Sequence, residues 1–144
     1  MSNMIIECDM TYQHHVGCII FKLRDQFLLV TALKAKHRLG TWHGEVGYAS
    51  AGACRTLALK LKAWLRLQPR NKDNQLAPFK VELPVLRYGE AYRDGENGEL
   101  EVEINNDAES ITILVEIPSE GRYLKTILLE MAEQVDKARY ARRH

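Results

Sequence analysis

Two acids stand where a chain can perform metal-assisted chemistry: Asp9, at the end of the first apolar run, and Glu45, just ahead of a long Ala- and Leu-rich stretch. They are the candidate catalytic residues. His14, His15, His37 and His43 add imidazoles, but their spacing does not make a zinc site, and adjacent residues such as His14 and His15 point to opposite sides of an extended chain. They read as loop histidines, so no metal site and no cofactor is expected. Neither a Gly-x-x-x-x-Gly-Lys-Ser/Thr phosphate loop nor a Gly-x-Ser-x-Gly nucleophile elbow occurs. Cys8, Cys18 and Cys54 are odd in number, widely spaced and set among apolar neighbours, which reads as reduced thiols and not as a disulfide frame.

Charge supplies the second constellation. The net formal charge is only +1, yet residues 26 to 72 hold nine Lys or Arg against the single acid Glu45, a net of +8. Residues 73 to 133 hold fourteen acids against five bases, a net of −9, and the last eleven residues return to +3. Within the basic interval Lys34, Lys36, Arg38, Arg55, Lys62, Arg66 and Arg70 are interleaved with Trp42, cations for phosphates and a ring able to stack on an unpaired base. These eight residues are the candidate nucleic-acid-binding set. In the acidic half Glu99, Glu101 and Glu103 alternate with apolar residues, a carboxylate row along one strand face, read as a solvated face that discourages edge pairing.

The residues around Asp9 and Glu45 carry a resemblance. A first strand with an Asp is followed by the hairpin Val16-Gly-Cys-Ile-Ile-Phe and Phe27-Leu-Leu-Val, then a Gly-rich loop and a Glu leading into an Ala- and Leu-rich helix. Over residues 4 to 67 this resembles the ribonuclease H-like family, in which clustered carboxylates hold two magnesium ions about a phosphodiester. The resemblance implies a divergent nuclease using Asp9 and Glu45. In the strand after the helix, where that family has a further carboxylate, this chain offers only Glu82. The order of strands and helices is also similar to that of the Nudix hydrolases. Their metal-binding helix carries glutamates where this chain has Arg55-Thr56-Leu57-Ala58-Leu59-Lys60, so that helix has no magnesium ligand here.

The elements that position these residues follow from periodicity. Cys54, Leu57, Ala58, Leu61, Trp64 and Leu65 recur at i, i+3, i+4, i+7, which predicts a buried amphipathic helix over 49 to 67. Leu59, Ala63 and Leu67 fall on a further face, for which a second element or a partner is expected as cover. Before the helix, residues 4 to 9, 16 to 23 and 27 to 33 read as strands, and the glycine-bearing residues 34 to 48 as a loop. After it, 79 to 88, 99 to 105 and 111 to 117 read as a three-stranded meander, with Pro84 on an edge and a final helix from Pro118 capped by Ser119. The expected fold is α+β, about six antiparallel strands in the order βββαβββα covered by two helices, in a single domain over residues 1–144.

Hydrophobic residues at 46% and charged residues at 27% are ordinary for a globular chain. No apolar run reaches the roughly 18 residues of a membrane span, and the first residues lack the pattern of a secretory leader, which places the protein in the cytoplasm with no membrane partner. Three functions are weighed in order: a non-catalytic nucleic-acid-associated module using a basic face around the central helix, a protein-interaction or homo-oligomeric module, and the divergent nuclease.

Overall fold

The computed structural model describes residues 9–14, 17–24, 27–36, 41–67, 77–94 and 98–143, of which 9–14, 17, 34–36 and 141–143 are described by backbone alone. The fold is α+β. Its order is β1 (Asp9–His14), β2 (Gly17–Arg24), β3 (Phe27–Lys36), β4 (Thr41–Ala49), α1 (Ala51–Arg66), β5 (Phe79–Val85), β6 (Arg87–Asp94), β7 (Leu100–Ile104), β8 (Glu109–Val115) and α2 (Pro118–Arg143). The described residues therefore make eight strands, where periodicity led us to expect about six. The order is ββββαββββα rather than βββαβββα.

Two departures account for the difference, and a third moves the first strand. Residues 41–49, expected as loop, are β4, because Trp42, Gly44, Val46 and Tyr48 alternate against the neighbouring strands and the glycines are needed there. Gly47, for one, leaves room for Val85, whose Cβ lies 2.7 Å from where a side-chain carbon would be. The first described strand runs over 9–14, so His14, expected in a loop, lies on a paired strand; residues 4–8 of the expected strand lie outside the described residues. The single strand expected over 79–88 is two strands meeting at Leu86, and they join different sheets.

The larger sheet is antiparallel throughout, in the order β1-β2-β3-β4-β6-β7, and β5 pairs with β8 in a separate two-stranded sheet. The meander expected over 79–117 is thus divided: β6 and β7 extend the first sheet while β5 and β8 form the second. Leu86 is the corner, and its N–H donates to the Tyr48 carbonyl at 2.8 Å, which locks the switch to the end of β4. Pro84 is tolerated because β5 pairs on one side only, opposite Ser110.

Both faces of the large sheet bury apolar side chains. Ile19, Phe21, Leu23, Leu28, Val30 and Ala32 meet the helices and the small sheet, contacting a core that includes Leu57, Leu61, Leu83, Ile113, Leu128 and Met131. The alternate residues Cys18, Ile20, Leu29, Leu33, Val46 and Ala91 form a second cluster on the other side, joined by Trp42, Tyr48, Leu100 and Ile104. α1 starts where periodicity places it. Ser50 is its N-cap, and the Ser50 hydroxyl accepts from the Ala53 N–H at 3.1 Å. α2 begins at Pro118 as expected, but Ser119 is not its cap: the Ile117 carbonyl accepts the Gly121 N–H at 3.1 Å, so proline takes the first helical position, where its missing N–H costs nothing.

Candidate nucleic-acid interface

The ladder separates the two candidate catalytic acids. Asp9 is in register with Lys22, Lys22 with Leu29, and Leu29 with Tyr48, while Glu45 lies three residues along β4 from Tyr48. Three strand spacings alone place the two backbones about 14 Å apart. A two-metal cluster needs carboxylates that converge on shared ions, which this separation prevents. Among the described residues no group of three His, Cys, Asp or Glu is placed to hold a metal ion.

The sheet gathers Glu45 with different acids. Glu45 is the direct cross-strand partner of Glu90, and Glu90 of Glu103, so three carboxylates form one row across β4, β6 and β7 on the side that faces the helical layer. Directly opposed like charges are destabilising, and two phenols moderate the cost. Tyr88 donates to Glu45 Oε2 at 2.8 Å and Tyr92 donates to Glu90 Oε2. Burial, then the hydrogen bond to Glu45, then the charges of Glu45, Glu109 and Glu90 push Tyr88 up to about 12. Tyr92 is also raised, first by its bond to Glu90 and then by burial. Tyr88 holds its proton more tightly folded than unfolded, so its contribution to stability is full below about pH 10 and fades as pH rises toward about 12. Tyr88→Phe is expected to flatten that alkaline limb in thermal melts taken across this range; an unchanged limb would show that Tyr88 holds its proton no more tightly folded than unfolded.

The basic candidates divide among three places. Arg55, Lys62 and Arg66 lie on the solvent side of α1, where Lys60 joins them, and α1 contains four bases and no acid. Arg55 is bound to Asp136 of α2, which neutralises it as a phosphate contact. Trp42 is on the opposite side of the large sheet from α1, in the second apolar cluster, with the Arg93 guanidinium 5.8 Å over its ring. It packs there and does not belong to the helix surface. Lys34 and Lys36 belong to the end of β3: Lys34 stands at the register shift between Leu33 and Ala35, and Lys36 beyond it is in register with Trp42. Arg38 and Arg70 lie outside the described residues.

Burial disfavours the thiolate at both described cysteines. It pushes Cys54 up to about 12 against the opposing charge of Arg55, and it raises Cys18 against Arg93, so neither presents a thiolate. Thr31 Oγ1, Trp42 Nε1 and Arg93 Nε are sealed from solvent without a hydrogen-bond partner, all on the second side of the sheet. A groove between α1 and β5, rimmed by Lys60 and Glu82, has about 140 Å³ of interior space. That is small beside the several hundred Å³ of ordinary ligand clefts, and the Glu82 carboxylate already accepts from Thr112 Oγ1 at 2.9 Å.

Sequence reasoning missed a group at the other end of the large sheet. Lys22, Tyr48 and Arg87 share one row across β2, β4 and β6, and Arg24 and Phe27 pair in the row beyond. Tyr48 lies within the basic stretch, but a reading of 34–48 as loop hides the alternation that places it beside Arg87. No protein-family model, curated protein or solved structure matches the chain. Among the described residues no helix is long and apolar enough to cross a membrane.

Proposed function

We propose that the protein is a non-catalytic nucleic-acid-binding module that sets phosphates against the outer side of α1. The observation that carries this reading is the composition of that surface: Lys60, Lys62 and Arg66 are exposed on a helix that itself contains no acidic residue. Lys62 and Arg66 are four residues apart and so stand together on the helix surface. Such contacts attract the backbone and carry no base information. Cys18 and Cys54 are buried in separate apolar clusters, so they do not pair with each other.

Lys62→Glu with Arg66→Glu is expected to weaken binding to both duplex and single-stranded oligonucleotides, whatever their sequence, and to lower the slope of log affinity against log salt by about two. Fluorescence anisotropy across a salt series measures both. Binding equal to wild type in affinity and slope would remove this reading.

A second reading has an observation of its own. The third face of α1, expected to be covered, is open among the described residues: Leu59 is 65% exposed and Leu67 is 70% exposed. On this reading the face is buried by a second copy or another protein, and the particle size measured by sedimentation rises with concentration.

A further inference from the structure

The two sides of the large sheet differ in charge where β4 and β6 run together. On the side facing the helical layer stand Glu45 and Glu90, with Glu103 beyond them on β7. On the other side, at the end where β4 leads into α1, rings and cations alternate. Lys22, Leu29, Tyr48 and Arg87 lie side by side, with Asp9 at the β1 end of the same row, and Arg24 and Phe27 form the next pair outward. Arg87 is exposed and its guanidinium lies 5.7 Å over the Tyr48 ring. Phe27 meets that ring edge to face, with centroids 6.4 Å apart and planes at 73°. Leu29 beneath them is buried, so both rings are half-buried and already held in place.

We propose that this end of the sheet, formed by Lys22, Arg24, Phe27, Tyr48 and Arg87, is a stacking platform for the unpaired bases of single-stranded nucleic acid. The proposal rests on the nucleic-acid reading above and names the class of ligand. A ring stacks on any base whose face is open, and a flat guanidinium does the same while drawing phosphate. In a duplex those base faces are hidden, so a platform of this kind selects single strands. The acidic row on the opposite side of the same strands repels a polyanion locally, so along β4 and β6 this side is the more favourable one. α1 lies on that opposite side of the sheet, so its lysines act on the phosphate backbone independently of the platform.

The test uses the full chain with a labelled single-stranded oligodeoxynucleotide and the duplex of the same sequence, at one salt concentration, read by anisotropy. Phe27→Leu with Tyr48→Leu is expected to lower single-strand affinity about tenfold or more and to leave duplex affinity within about twofold. Tyr48→Phe keeps the ring and binds as wild type, which separates stacking from any damage to packing. Arg87→Gln, at an exposed position, also weakens the single strand selectively. Equal loss on both ligands, or no loss, overturns the platform. If those variants bind as wild type while Lys62→Glu with Arg66→Glu still weakens both ligands, the α1 reading stands and the platform falls. A wild-type chain that binds neither ligand overturns both.

Discussion

Replacing Leu61 with alanine is expected to lower the free energy of unfolding by about 2 to 5 kcal/mol, while Leu59→Ala, two residues away on the same helix, stays within about 0.5 kcal/mol. Leu61 is wholly buried in the core between the large sheet, the small sheet and α2, and truncation there leaves a cavity that flanking side chains of a packed interior fill only in part. The removed carbons of Leu59 are already in water. Urea unfolding followed by circular dichroism measures both. If Leu59 proves the costlier site, α1 presents a different face to the core. If Leu59→Ala instead leaves stability alone but abolishes a concentration-dependent increase in size, the open face of α1 is an association surface.

Gly44→Ala is expected to be the other severe change, destabilising by about 3 kcal/mol. A Cβ on Gly44 would lie 1.9 Å from the Ala32 carbonyl oxygen and 2.7 Å from both the Ala32 carbonyl carbon and Leu33 Cα. All three are backbone atoms of the paired strand, beside the bulge between Leu33 and Ala35, so relief requires β3 and β4 to move apart. Gly52, in the first turn of α1, provides the contrast. The nearest atom to its added Cβ is Ser50 Oγ at 3.9 Å, so Gly52→Ala is neutral or stabilising by about 0.5 kcal/mol through helix propensity. Paired thermal melts decide the matter. A Gly44→Ala melt within a degree of wild type would mean that the two strands are not paired in this register.

Local pattern determined the elements whose apolar period is unbroken. The stripe Cys54, Leu57, Ala58 and Leu61 faces inward as its spacing requires, and so do Leu124, Leu128, Met131, Ala132 and Val135 of α2. Strand alternation was equally legible in β5, where Phe79, Leu83 and Val85 are buried. The α+β class followed from these, because two amphipathic helices and a set of half-apolar strands bury their apolar sides only against each other.

What the chain alone left undecided was partnership between distant segments. Gly40, Gly44 and Gly47 read locally as breakers, yet within β4 Gly44 and Gly47 are dictated by the close approach of β3 and of Val85, contacts invisible to a window of neighbouring residues. The change of sheet at Leu86 has the same character: the alternation of Phe79, Val81, Leu83 and Val85 says that the segment is extended, but not that β5 pairs with β8 while β6 pairs with β4. Register then decides the site. It holds Asp9 and Glu45 three strands apart, puts Glu45 beside Glu90 and Glu103, and lays Arg87 over Tyr48, because cross-strand neighbours are set by pairing and not by separation along the chain.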